Sequence, residues 1–411
     1  MNNNLNTDIA IIGGGAAGLF CAAMIKSRAP KLRVIILEKQ DRVGKKLLVT
    51  GNGRCNLTNL YTTAENFHGS FKQGAEKLLS FCPPDMVIAL FEEFGLLTTT
   101  EDDGRVYPLS KQANSVLDVL RNICSQYGVQ TVCDFFVTDI TPKASGVTIK
   151  ASDNRSVFAK KAILSTGSKS SPGTGADDTV FAVLKKLGHK ITKLYPSLCP
   201  VNVKSPHLKS LKGVRANGCV ALYQNDKLIK KEYGEIQFTD TSLSGICVFN
   251  LSRFANSLDN CYISVSLLPD KSYDEIVDLL IKKKMVVDGK TKAENFLVGY
   301  FNRMIGLALI KEAGISPGCP ISDITNAQLR KLAAVISQWK FDVIKGTDFT
   351  RSQVTAGGVF GDEIDCETMK SKKIQNLYII GEAIDCDGDC GGMNLQFAFS
   401  SAYCAACDLI Q

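Results

Sequence analysis

The chain has 411 residues, 45% of them hydrophobic and 22% charged, the composition of a globular protein with room for two or three domain cores. Its formal charge of +7, from 48 basic against 41 acidic residues, suits an anionic ligand or partner without diagnosing one. Only three histidines are present (His68, His189 and His207), which argues against a multi-histidine metal centre. The 15 cysteines sit in a chain too long to need a disulfide scaffold and follow no secretory signal, so they read as reduced thiols of a cytoplasmic protein.

The first elements in chain order form a β-α-β signature. Asp8–Ile12 predicts a strand, Ala16–Arg28 a helix and Leu32–Leu37 a second strand. Gly13, Gly14, Gly15 and Gly18 interrupt the apolar run Ile9–Ile25, and Asp8 precedes it with no basic segment. That pattern excludes a membrane anchor and leaves a strand, a turn and a helix. Gln40–Asn59 is rich in Gly, Asn, Lys and Arg and reads as a long functional loop. Asp85–Phe94 and Ser115–Tyr127 predict amphipathic helices ending at Gly95 and Gly128. Val129–Ile140, Gly146–Ala151 and Ser156–Leu164 predict strands, and Ser165–Gly175 returns to loop.

Past Leu194 the character changes. Pro200–Val203, Gly218–Tyr223, Lys227–Lys231, Glu235–Phe238 and Tyr262–Leu267 predict short strands. Tyr273–Met285, Glu294–Gly314 and Ala327–Trp339 predict helices. From Thr355 the glycine-rich pattern resumes, with the strand NLYIIG, an acidic loop and a final helix from about Asn394.

The chemistry is concentrated at the two ends. Gly13-x-Gly15-x-x-Gly18 lies between strand and helix, and Glu38 closes the next strand. Gly13 permits the turn, Gly15 lets a pyrophosphate approach the backbone, and Gly18 lets helix and strand pack closely. The N-terminus of the helix receives the anion, and Glu38 accepts hydrogen bonds from a ribose, which disfavours a 2′-phosphate. This pattern predicts a dinucleotide and does not separate FAD from NAD. The second end does: Gly381-Glu382 after a strand, then Asp385, Asp387 and the helix opening at Asn394, Leu395 and Gln396, suit the far half of an extended FAD.

At these residues the chain resembles the HI0933-like (BaiN-like) flavoprotein family, a branch of the glutathione-reductase-type FAD folds. The matching stretches are IIGGGAAGL, GKKLLVTGNGRCNLTN, GEIQFTDTSLSGICVFNLS, TAGGV and GEAIDCDGDCGGMNLQFAFSSAY, which run nearly end to end. The resemblance implies an α/β fold: a discontinuous Rossmann-like FAD-binding domain with an inserted β-barrel-like domain and a helical cap. The expected boundaries are 1–193 and 355–411 for the FAD-binding domain, 194–270 and 341–354 for the inserted domain, and 271–340 for the cap.

It also implies non-covalent FAD. Carried over by position, Gly13, Gly15, Ala16 and Gly18 would hold the pyrophosphate, and Glu38 with Lys39 the adenosine. Val137 would contact adenine, and Thr166 and Gly167 would line the dinucleotide. Arg54, Cys55 and Asn56 would lie along the flavin, with Gly381, Glu382, Asp387, Asn394, Leu395 and Gln396 around the isoalloxazine and ribityl chain. The chain departs from the family pattern at Cys390, at Met393 and at Gly167-Ser168-Lys169, where substrate contact or flavin reactivity can be tuned.

Arg54 and Cys390 are the candidates for catalytic contact. A guanidinium can hold a substrate carbonyl or carboxylate bidentately, or simply form a loop salt bridge. Cys390, spaced CxxxC from Cys386, could cycle between thiol and disulfide. Tyr107 and Tyr403 are further proton-donor candidates with core packing as the alternative. No second GxGxxG unit is present, so NAD(P)H as electron donor would visit the flavin transiently.

The resulting expectation is an FAD-dependent oxidoreductase that reduces an activated C=C bond of a small, possibly anionic molecule, of the 3-oxo-4-ene steroid or bile acid type. Three alternatives stand beside it: an amine oxidase of the aminoacetone type using O2, a reductase of a uracil base in ribosomal RNA, and a flavin-holding interaction protein. A nucleic acid partner would use the lysine runs at 185–186, 230–231 and 282–284, which read more simply as solvated faces. No membrane partner is expected, and the oligomeric state is left open.

Overall fold

The computed structural model describes residues 4–411. The chain divides into two compact units: one runs to Pro196 and resumes from Phe349 to Gln411, and the other is Ser197–Asp348.

The first unit is built on a parallel sheet. Val34–Leu37 and Ser156–Leu164 flank the first strand, Asn4–Ile12, and Gln130–Val132 lies beyond Val34–Leu37. Runs of Ile, Val and Leu such as VIIL are buried at every position, as expected for parallel strands covered on both faces. Ser156–Leu164 decides how the chain ends meet. Its first half pairs antiparallel with Gly146–Ala151, and its last residues pair parallel with Leu377–Ile379, placing Ile163 opposite Tyr378.

The first helix, Ala16–Arg28, is buried continuously from Ala17 to Lys26. It has no polar face because the sheet and the last helix, Met393–Ile410, cover it, and helices that are apolar all round are found only in such settings. Phe20 of the first helix packs against Phe399 of the last, with ring centroids 5.0 Å apart.

The second unit contains a closed six-stranded barrel formed by Val201–Lys204, Ser242–Ser244, Lys227–Phe238, Arg215–Gln224, Cys261–Ser266 and Trp339–Val343. Alternate residues such as Val220, Leu222, Ile236, Ile263, Val265 and Phe341 fill its core. Helices Tyr273–Val286, Arg303–Glu312 and Asn326–Ser337 belong to the same unit.

Several sequence expectations are corrected. Glu294–Gly314 is not one helix: a short turn at Ala293–Asn295 is separated from Arg303–Glu312 by Gly299, at φ +87°, and by Asn302, whose side chain caps the new helix by accepting from the Met304 N–H at 2.9 Å. Lys227–Lys231 and Glu235–Phe238 are one strand, because Tyr233 and Gly234 between them pair in register with Cys219 and Gly218. The loop Gln40–Asn59 contains a helical turn at Lys45–Val49. Helices Lys72–Phe81, Thr179–Lys186 and Ile246–Ser257 lie in segments for which no element was expected.

One buried titratable group in the first unit gives a pH prediction. The His189 ring is fully buried, with Nδ1 2.9 Å from Glu363 and Nε2 2.9 Å from Ser371. Burial lowers its pKa below the ordinary 6.5, outweighing the upward pull of Glu363. A base held neutral in the fold favours folding above its unfolded pKa, and that contribution is lost as pH falls from about 6.5 through the lower folded value. The melting temperature should therefore drop as pH falls below about 6.5, and a His189→Gln variant should flatten that slope. An equal slope in both proteins would rule the assignment out.

Candidate functional site: a dinucleotide cleft made by both chain ends

The first strand delivers the chain into a turn that only glycine tolerates. Gly13 has φ +101°, and a Cβ there would lie 2.7 Å from the Ser165 carbonyl oxygen. Gly18 packs so closely that its Cβ would sit 2.2 Å from the Gly13 carbonyl oxygen and 2.6 Å from Ser165 Oγ. Gly15 differs: a Cβ there meets no protein atom within 4 Å, so it faces open space at the mouth of the first helix. That helix has Gly15 as N-cap, no side-chain cap and no acid in its first turn, so its N–H groups and positive dipole end face the same space.

Glu38 is held at the end of the second strand. Its Oε2 accepts from the Gly14 N–H at 2.8 Å and its Oε1 from the Gln40 N–H at 2.9 Å. Each oxygen retains a lone pair for a ribose hydroxyl. Lys39 pairs with Asp177, which ties the segment after Gly175 to the end of the second strand. The Gly44 N–H donates to the Gly14 carbonyl at 2.8 Å, fastening the following loop to the glycine turn.

The C-terminal segment completes the cleft. Gly381, at φ +67°, turns the chain beside Ala17. The Glu382 carboxylate accepts from Lys46 Nζ at 2.6 Å and from the Thr355 N–H at 3.0 Å. Asn394 exchanges two hydrogen bonds with the backbone of Gly388, at 2.8 and 2.9 Å, which fixes the start of the last helix. That helix also lacks a side-chain cap and a first-turn acid.

Of the residues expected from sequence, Gly13, Gly15, Ala16, Glu38, Lys39, Val137, Thr166, Gly167, Gly381, Glu382, Asn394 and Leu395 share one cavity wall. The cavity is a cleft open to solvent along this wall. Sequence reasoning missed Arg42 and Lys46 on the same wall and Asp177 opposite Lys39, whereas Ser168 and Cys386, singled out for tuning and redox roles, also line it. Lys46 sits in the GKKLL stretch already singled out, and its pairing with Glu382 across 336 positions had no local signal.

Gly18, Arg54, Cys55, Asn56, Asp387, Gln396 and Cys390 are not on that wall. Gly18 is the close-packing glycine beneath it. Gln396 is fully buried and spends its amide within the protein: Oε1 accepts from Thr58, and Nε2 donates to the Cys82 carbonyl at 2.9 Å and to Ser400 at 2.8 Å. A Gln396→Ala variant should therefore lose about 2 kcal/mol of stability in urea unfolding while its FAD affinity stays near wild type. A loss of affinity with unchanged stability would restore the flavin contact.

Asp387 is buried in a two-residue strand paired with Phe67–His68. Arg54 lies 4.5 Å over the Tyr107 ring, donates to its hydroxyl at 3.2 Å and pairs with Glu101 at 3.3 Å, so the salt-bridge alternative describes its contacts. Cys55 adopts φ +57° with no solvent exposure, a strained backbone for a residue with a side chain, and burial pushes its thiol up to about 12. Burial also raises the Cys390 thiol, and the nearby Arg105 only partly offsets it, so neither sulfur is primed as a thiolate. None of the 15 cysteines forms a disulfide.

FAD fits these residues on three observations: the open space at Gly15, the uncapped helix mouths, and a buried polar atom on the cavity wall without a protein partner, Ser168 Oγ. The HI0933-like protein Rossmann domain matches residues 7–408. The chain belongs to the HI0933-like family. It is an FAD-dependent oxidoreductase with a Rossmann-like fold. Among curated proteins, this HI0933-like chain is 32% identical to the 3-dehydro-bile acid delta(4,6)-reductase of Clostridium scindens, over 97% of each chain. It is 25% identical to the ribosomal RNA dihydrouridine synthase of Escherichia coli, over 98% of each. Among solved structures, the 3-ketosteroid-delta4-(5alpha)-dehydrogenase of Rhodococcus jostii aligns with a TM-score of 0.47 at 14% identity, over 99% of this chain and 97% of that one.

Proposed function

We propose that this HI0933-like protein reduces a carbon–carbon double bond conjugated with a carbonyl, in a small molecule of the 3-oxo-4-ene steroid or bile acid type. The observation that carries the reading is the end-to-end likeness to a 3-dehydro-bile acid reductase, at 32% identity over 97% of both chains. FAD, when bound and reduced, supplies the hydride. The chain's own work is then to bind and orient. Glu38 would hold the ribose, the mouth of the first helix the pyrophosphate, and Glu382 with Lys46 the middle of the cofactor. Raised thiol pKa values at Cys55 and Cys390 speak against covalent catalysis by either. Arg54, paired with Glu101 at 3.3 Å and bonded to the Tyr107 hydroxyl, would offer its remaining N–H groups to a substrate carbonyl. Electrons would come from NAD(P)H visiting the cleft, and the protein would work in the cytoplasm.

A second reading has its own observation, the match to ribosomal RNA dihydrouridine synthases over 98% of the chain. Uracil also contains a C=C bond conjugated with a carbonyl, so the chemistry is shared and the substrate differs.

Stopped-flow mixing of the anaerobically reduced holoprotein with a steroid enone, a uracil-containing RNA fragment, an amine-free O2 solution or buffer tests these readings. Rapid flavin reoxidation by the enone alone is the expected result. Reoxidation by RNA alone would establish the second reading, and reoxidation by O2 alone would remove both.

A further inference from the structure

Residues 282–304 of the second unit carry two unusual concentrations at once. They contain five lysines and one arginine (Lys282, Lys283, Lys284, Lys290, Lys292 and Arg303) against Asp288 and Glu294, a net +4 of the chain's +7 in about a twentieth of its length. Among the described residues, 18 large apolar side chains are exposed, and five of them fall in this same stretch: Met285, Val286, Val298, Tyr300 and Met304. Met285 and Val286 are 77% and 82% exposed, the two highest values of the 18.

The helix end and the loop around Val298 and Tyr300 are in contact. Helix Tyr273–Val286 ends in Met285-Val286, and Lys283 reaches from that last turn to the next loop. Its Nζ donates to the Val298 carbonyl at 2.9 Å and lies 3.9 Å over the Tyr300 ring. Lys282 is one helical turn before Met285 and Val286, so ammonium and apolar tips stand side by side. Lys284 is anchored on the carbonyls of Ser322 and Ile324, which stiffens the helix end.

From this coincidence we infer that residues 282–304 dock the protein on an anionic lipid surface. Exposed aliphatic tips gain by entering the boundary between headgroups and acyl chains, while lysines around them pair with anionic headgroups, each contributing about 1 kcal/mol near the surface. RNA fits less well. Met285, Val286 and Val298 offer nothing to stack on or hydrogen-bond a base, and Lys283 already covers the Tyr300 ring. No helix among the described residues is long and apolar enough to cross a membrane, so the contact is peripheral. It departs from the sequence expectation of no membrane partner, which weighed spanning segments only. A hydrophobic substrate dissolved in lipid would be captured from such a surface.

The test is co-sedimentation of the FAD-loaded full chain with phosphatidylcholine vesicles, with and without phosphatidylglycerol. Binding to the anionic vesicles only, weakened by salt, is expected, with a loss of about tenfold or more in a Met285→Glu/Val286→Glu variant. Both side chains are largely exposed, so the variant should keep the wild-type flavin spectrum and melting temperature. A Lys290→Glu/Lys292→Glu variant should also weaken binding. The inference fails if the wild type ignores anionic vesicles, or if the Met285→Glu/Val286→Glu variant binds them as well as wild type. It also fails if the stretch instead holds a single-stranded RNA with an affinity that the lysine variant lowers and the Met285/Val286 variant does not. Reoxidation by a water-soluble enone should be the same in all three proteins, which separates this result from that of the proposed reaction.

Discussion

A Gly15→Val variant should fold with the stability of the wild-type apoprotein and bind FAD about tenfold to a hundredfold more weakly. The backbone at Gly15 is extended, with φ −82° and ψ −166°, so a β-branched residue fits without strain. No protein atom lies within 4 Å of the new Cβ, so the fold does not register it. The side chain instead enters the space that a pyrophosphate must occupy to reach the helix N–H groups, and forcing a group into filled space costs about 1–3 kcal/mol. Gly18→Val is the control of opposite character. Its Cβ would be driven to 2.2 Å from a backbone carbonyl, so the apoprotein itself should lose stability, at the upper end of that ~1–3 kcal/mol range. Flavin fluorescence titration and urea unfolding of both apoproteins check the pair. A Gly15→Val protein that binds FAD like wild type would remove the pyrophosphate from this turn.

Phe399→Ala should destabilise the first unit by about 3–5 kcal/mol, read as a lower urea midpoint of the apoprotein with an unchanged slope. Phe399 is fully buried, with ring centroids 5.0 Å from Phe20 and 5.0 Å from Phe91, and Phe20 in turn packs 5.3 Å from Phe91. The cluster joins the first helix, the helix Pro84–Glu93 and the last helix, so truncation opens a cavity that three elements cannot all close. The last helix also carries Asn394 and Leu395 to the cleft. Excess FAD, which binds only the folded form, should therefore recover part of the loss. A change below about 1 kcal/mol would mean that the helices are held together elsewhere.

The nucleotide half of the cleft was legible because its physics is local. Strand, turn and helix follow one another within a few residues, so Gly13, Gly15 and Glu38 were readable from spacing, while the approach of Ser165 that also requires glycine at Gly13 was not. Gln396 shows the opposite case. At the start of a helix after an acidic glycine-rich loop it looked like a cofactor ligand, but helical phase turned it inward onto Thr58, Cys82 and Ser400. Arg54 was poised between substrate and salt bridge, and Glu101 and Tyr107, about fifty positions away, chose the salt bridge in this structure.

The sequence by itself made legible the glycine turn at the mouth of the first helix and the acid held at the end of the second strand. Those properties depend on short-range sterics and on hydrogen bonds between near neighbours. Only the tertiary structure decided which polar side chains face the cleft and which are consumed in the core. Lys46–Glu382 and Lys39–Asp177 join residues 336 and 138 positions apart, and such pairs form because the parallel sheet brings its strand ends to one edge. Tertiary structure likewise brought Val298 and Tyr300 to the helix end that carries Met285 and Val286, through Lys283 bridging that end to the loop beyond it.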